Sequence, residues 1–146
     1  MLEVFLASLM LVLILLPLMY LNSSSNRIAT NAYYEFQAFQ IAQEPLEFFK
    51  GQGFKWMSDY SSHPHPDYAL GPQDIEEALT IGGEKFFRPL DSRLFKRTIE
   101  LSNLVVDGFK AVKIEVTVSP REKGTIQTWF TRDFIKLSEL IVDEPI

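Results

Sequence analysis

Glu3 is the only charged residue ahead of Arg27, and it heads an apolar run that continues to Leu21. The eighteen residues from Val4 to Leu21 carry one hydroxyl (Ser8), one proline (Pro17) and otherwise apolar side chains or Tyr20. As an α-helix this run spans about 27 Å, close to the thickness of a bilayer core. A carboxylate at the head of such a helix costs roughly 2.5–3.5 kcal/mol at mid-membrane, and less near an interface. Something must compensate it. The simpler compensation is the headgroup region, helped by the positive end of the helix itself. The alternative is a cationic partner on another molecule.

The other residues that could do chemistry form weaker patterns. His63-Pro64-His65-Pro66-Asp67 offers two imidazoles and a carboxylate. The chain has no other His, and the flanking prolines favour a stiff, extended solvent loop over a closed metal site. Asp59, Asp67 and Asp74 lack the alternating oxygen spacing of a calcium loop. No Gly-x-Ser-x-Gly, phosphate-cradling glycine loop, His-Glu-x-x-His or Cys nucleophile is present. Glu76-Glu77 reads as solubilising charge, and Trp56 and Trp129 read as core or interface anchors. The expectation is a protein that is not an enzyme and uses no metal or cofactor.

Composition agrees with this. A net charge of −5 without a Lys/Arg cluster argues against a nucleic-acid partner. The absence of Cys excludes disulfides and thiolate metal sites. Twelve Phe and five Tyr allow a dense core in a small domain. The apolar run lacks a basic n-region and a small-x-small cleavage site, and it exceeds an ordinary signal core in length. A retained membrane helix is therefore favoured over a removed signal.

The elements that position these residues follow from periodicity. Past the polar patch 22–26, Ile28, Ala32, Phe36, Phe39, Ala42, Leu46 and Phe49 recur at steps of three and four. Such a stripe predicts an amphipathic helix facing a globular head. Gly51-Gln52-Gly53 marks its end, with Lys50 in the last turn. Pro17 predicts a kink or local loosening, and Pro45 predicts a boundary with a separate last turn over 46–50. Beyond it, 53–70 reads as an aromatic loop, and Asp74 as the cap of a short helix through Ala78 and Leu79. Residues 95–101 and 112–118 alternate as strands joined through an Asp107-Gly108 hairpin signal, although Arg97 breaks the apolar face. A poorer strand is expected over 126–134. The predicted fold is α+β, a long N-terminal helix packed on an antiparallel sheet of about three or four strands. Its parts are a transmembrane half (1–22), an amphipathic half (23–52) and a small head (53–146).

This arrangement resembles the type IV pilin superfamily, including the pseudopilins of type II secretion. The resemblance rests on Leu2-Glu3-Val4 heading the apolar run, on Pro17, and on the continuing helix through Ala42-Gln43-Glu44-Pro45-Leu46-Glu47. It is concentrated in residues 1–49, where Leu15-Leu16-Pro17-Leu18 and Ala42-Gln43-Glu44 look most like minor pilins or minor pseudopilins. It implies a single-pass inner-membrane protein with its head outside the cytoplasm, later extracted into an envelope filament. The implied partners are other pilin or pseudopilin subunits, the inner-membrane assembly platform and a prepilin peptidase. Glu3 would meet the free amino group of a neighbouring subunit and so set axial register. The family's precursors carry a short basic leader ending in Gly, and more residues precede their Glu than Met1 and Leu2. That departure implies either coding sequence upstream of Met1 or a protein not processed and N-methylated as a pilin. The rival expectation is a single-span, membrane-anchored periplasmic binding module that does not polymerise.

Overall fold

The computed structural model describes residues 2–62, 64–76, 78–81, 84–121 and 132–143. Helix α1 runs unbroken from Leu2 to Gln52. Its first half has the length and composition to cross a membrane, and none of that stretch is buried within the molecule. The Ser8 hydroxyl, deep in this stretch, donates to the Phe5 carbonyl at 2.8 Å, which satisfies it without help from lipid.

Both prolines lie inside α1, so the expected boundary at Pro45 is corrected. Proline inside a helix costs about 3 kcal/mol. Here Ile41 and Ala42 before it and Leu46 and Phe49 after it are all buried on the same side. Packing on both sides of the break holds the helix through it. The glycine stop survives: Gly53 adopts φ 79°, ψ 169°, a region essentially reserved for glycine. The chain then re-enters helix as α2 (Phe54–Ser58), where the sequence reads as loop.

The sheet has strand order β1 (Gly71–Asp74), β4 (Phe95–Val106), β5 (Phe109–Pro120), β6 (Ile135–Val142), all antiparallel. Strands β4 (Phe95–Val106) and β5 (Phe109–Pro120) form the expected hairpin, with Phe95 opposite Pro120 and Val106 opposite Phe109. Asp107 and Gly108 turn it with φ of 52° and 85°, the two positive angles of a type I′ turn. Replacing Gly108 with Ala should cost about 1 kcal/mol, read as a lower urea midpoint with unchanged slope; an unchanged midpoint would contradict this turn geometry.

Two predicted elements change. The short helix from Asp74 is instead strand β1 (Gly71–Asp74) followed by β2 (Ala78–Ile81). Gly71–Asp74 pairs with Lys96–Ile99 at the sheet edge. Asp74, rather than capping a helix, pairs with Arg121 at 3.0 Å. Among the described residues, strand β2 pairs only with β3 (Glu84–Phe87), as a separate two-stranded ribbon. The strand expected over 126–134 falls largely outside the described residues, and 132–134 are not strand. The last strand is β6 (Ile135–Val142). Glu139 interrupts its apolar face and is explained by an ion pair to Lys50 at the end of α1, at 2.7 Å.

The core lies between α1 and one face of this sheet. Ala38, Ile41, Ala42, Leu46 and Phe49 meet Phe95 and Ile99 of β4 and Val112, Ile114, Val116 and Val118 of β5. Ile135, Leu137 and Ile141 of β6 pack at its margin. An α+β molecule results, with the apolar helix packed against a four-stranded antiparallel sheet.

Candidate functional site

The helix presents two apolar faces, and the head takes only one. Of the predicted head-facing stripe, Ala42, Leu46 and Phe49 are buried. Ile28, Ala32, Phe36 and Phe39 are not; the three large ones are 65%, 59% and 43% exposed. At about 100° per residue, Ala32, Phe36 and Phe39 lie roughly 100–160° around α1 from the centre of the buried face. Ile28, about five turns before Leu46, shares the Leu46 direction and is exposed because the buried stretch of α1 begins only at Gln37. The correction has a physical reason. The face chosen by the sheet carries Ala38 and Ala42, both without exposed surface, and these small residues let the helix backbone sit close. The bulkier seam of Ile28, Phe36 and Phe39 is left outside. Glu3, also exposed, lies in the first turn of the same helix.

A second constellation lies inside the head, centred on Glu44. Arg88 grips its carboxylate with both ends of the guanidinium fork: Nη2 donates to Oε1, and Nε donates to Oε2 at 3.0 Å. The Tyr68 hydroxyl donates to Oε1 at 3.1 Å, and Arg97 Nη1 reaches the same oxygen at 3.4 Å. The arginines also tie down backbone. Arg97 Nη2 donates to the Asp67 carbonyl at 2.8 Å, and Arg88 Nη1 to the Glu76 carbonyl at 3.0 Å. Arg97 lies over the Tyr68 ring, 5.2 Å from its centroid, a cation–π distance. Five parts of the chain are thereby pinned together: α1, β4, the 3₁₀ turn Pro66–Tyr68, the segment after β1 that holds Glu76, and the segment after β3.

The electrostatics follow from this geometry. Burial pushes the Glu44 carboxyl up, but the bond and charge of Arg88, with Arg97 and Tyr68 behind them, outweigh it and hold the group below the usual carboxylate range. Burial first, and then the neighbouring Glu44 carboxylate, pushes the Tyr68 hydroxyl well above its ordinary value. Burial pulls Arg97 down, and Glu44 only partly restores it. Neither Glu44 nor Tyr68 exchanges a proton near neutral pH. Chemically the cluster is a clamp.

Arg97 is the residue whose type announced this cluster. An arginine in the apolar register of a strand, with a side chain only 3% exposed, demands a buried carboxylate. Glu44, Arg88 and Tyr68 carry no comparable signal, because their proximity exists only after folding. An aromatic layer packs beside the clamp. Phe48 stacks on Tyr68 at 4.5 Å and lies 5.0 Å from His65, while Trp56 lies 4.9 Å from Tyr60. His65 is thus part of an aromatic cluster and no free solvent loop; His63, Glu77 and Trp129 lie outside the described residues. Asp59 and Asp67 are each engaged locally, Asp59 with Ser62 and Asp67 with His65. Among the described residues no three His, Cys, Asp or Glu side chains group as metal ligands.

No family model matches this chain, and neither a curated protein nor a solved structure does. The architecture is pilin-like, with a long apolar N-terminal helix against a four-stranded antiparallel sheet.

Proposed function

We propose that this chain is a structural subunit of an envelope filament, of the type IV pilus or type II secretion pseudopilus kind, assembling through α1. The observation that carries this reading is the exposed seam of Ile28, Ala32, Phe36 and Phe39. Scattered surface apolar residues are ordinary. These four are aligned, and they continue the membrane half of the same helix into the aqueous segment beside the head. Hydrocarbon aligned in this way marks an interaction surface. A lone anchored binding module would leave the seam to water for no return. Helices of neighbouring subunits would cover it.

In this reading the first half of α1 waits in the inner membrane with the head outside the cytoplasm. Other subunits and the inner-membrane platform are the partners, and a prepilin peptidase acts on a leader if the gene encodes one. Glu3 pairs with a cation of the next subunit. The work is mechanical, and the chain has no catalytic step of its own.

Two substitutions test this, Phe36→Asp and Glu3→Leu, with incorporation into sheared envelope filaments as the readout. Each should lower incorporation by at least about tenfold, the loss that follows from removing roughly 1.4 kcal/mol per contact. The amount in the membrane fraction and the protease resistance of the head should stay the same. Unchanged incorporation of both variants would overturn the filament reading and leave the anchored module.

A further inference from the structure

We propose that the open edge of β4, from Leu101 to Val105, is a docking site for an extended segment of another protein, which adds to the sheet as a further strand. Strand β1 pairs with β4 only over Lys96–Ile99. Beyond Ile99 that edge of β4 has no neighbouring strand among the described residues. Which groups point outward follows from the hairpin. The Lys110 carbonyl accepts from the Asp143 N–H at 2.8 Å and so faces β6, which turns Phe109 and Ala111 toward β4. Their partners Val106 and Leu104 therefore bond inward, and the alternating residues Leu101, Asn103 and Val105 aim N–H and C=O at the open side. Among the described residues, no backbone bond from outside the sheet reaches these three. Native sheet edges are ordinarily kept short or broken by Pro, Lys or a bulge. Strand β1 has Gly71-Pro72 within its four residues, and β6 has Lys136 and the Lys50–Glu139 ion pair. From 100 to 106, β4 has no such guard, and its pairing with β5 runs without a bulge.

Backbone, side chains and charge set the chemistry of the occupant. Outward N–H and C=O groups that recur every second residue, about 7 Å apart, match an extended peptide. A helix cannot answer them, because its own backbone groups are bonded internally. Apolar side chains flank the edge on both faces: Leu104 and Val106 on one, Leu101 and Val105 on the other, with Val105 73% exposed. An added strand lays its side chains beside both sets, so its middle must be apolar. Glu100 and Asp107 stand exposed at the two ends, and basic residues at the ends of the segment complement them. Geometry excludes β4 of a second copy. Tyr34 packs 6.4 Å from Phe95 at the start of β4, and Lys50 at the end of α1 pairs with Glu139, which lies across β5 from Leu101. Strand β4 thus runs in the direction of α1, and the hairpin projects about 15 Å past it. Antiparallel pairing of two β4 edges would aim the two α1 helices in opposite directions, so copies anchored in one membrane cannot form it. Parallel pairing about a two-fold axis puts Asn103 opposite Asn103, where a parallel ladder requires one of the two to point away. Strand β6 of a second copy has Ser138 and Glu139 at its middle and lacks the apolar centre required. The inference concerns the head and does not depend on filament assembly.

The test is amide hydrogen exchange, read by NMR on the full chain in detergent micelles, with the peptide acetyl-Lys-Val-Ile-Thr-Ile-Val-Lys-amide as the probe. Alone, the chain should alternate along β4, with fast exchange at Leu101, Asn103 and Val105 and slow exchange at Ser102 and Leu104. The peptide should slow the fast set by about tenfold or more, with half-saturation on the order of 100 μM. The same peptide, N-methylated at Thr and at the Ile before it, keeps its side chains but cannot pair through either set of its amides. It should protect about tenfold less. In Asn103→Pro, which deletes an outward N–H and no bond to β5, the peptide should no longer protect Val105. Equal protection by the methylated peptide, or none by either, would overturn the proposal. So would outward amides that are already slow in the chain alone: slowness lost on dilution assigns the edge to a second copy, and slowness that persists assigns it to the chain itself.

Discussion

Replacing Glu44 with Ala is expected to lower the unfolding free energy of the head by about 3 kcal/mol, because it strands two arginines in the interior. Arg97 is the more exposed to this loss in energetic terms, since its side chain is almost wholly buried and its remaining partners are one carbonyl and one aromatic face. The measurement is near-ultraviolet circular dichroism of the full chain in micelles during urea unfolding. A loss below about 1 kcal/mol, the range of surface ion pairs, would mean that the clamp is not coupled to the fold. The same carboxylate sets an acid limb. Its folded pKa is depressed, so its contribution is fully present above the unfolded carboxyl value of about 4.3. As pH falls below that, the unfolded state takes up the proton first, and the contribution disappears as pH passes through the folded value. The wild-type stability curve should therefore fall more steeply below pH 4.3 than that of Glu44→Gln. Parallel curves would assign acid sensitivity to other groups, of which Glu115 is one: Lys113 and Lys136 hold it low.

A comparison of Phe49→Ala with Phe36→Ala is expected to split by about 3 kcal/mol or more, although both residues belong to the apolar stripe read from the sequence. Phe49 has no exposed surface and touches four rings, with centroids at 5.6 Å for Phe48, 6.0 Å for Trp56, 5.0 Å for Tyr60 and 6.3 Å for Tyr68. Truncating such a side chain typically costs about 3–5 kcal/mol, the lost transfer energy plus a cavity. Phe36 is 59% exposed, and its removal should stay within about 0.5 kcal/mol. The pair also separates folding from assembly. Phe49→Ala should fail by unfolding of the head, whereas Phe36 substitutions should leave a folded head that does not join a filament. Equal costs in urea unfolding of the isolated subunit would mean that α1 seats its other face on the sheet.

Much of this was legible in one dimension. Apolar residues from Val4 to Leu21 with a single carboxylate ahead of them can only be a rod that avoids water. The Asp107-Gly108 turn between alternating segments required a hairpin, because type I′ angles and a two-residue side-chain period are local properties of the chain. Other features were not local. Asp74 and its immediate neighbours carry the local signature of a helix cap; pairing of Gly71–Asp74 with β4 outweighs that propensity. Pro45 looked like an end because the stabilising contacts on both sides of it come from the sheet.

What the amino-acid order determined by itself was the kind of protein: an apolar helix that becomes amphipathic, and a small antiparallel sheet in which one arginine breaks the apolar face of a strand. Tertiary structure alone decided which of two apolar helix faces the head covers and which carboxylate answers Arg97. Periodicity marks a face as apolar without saying what packs on it. The choice here fell to the close fit of Ala38 and Ala42. The clamp, in turn, joins Glu44 to residues 44 and 53 positions away along the chain, a proximity that only the folded backbone creates.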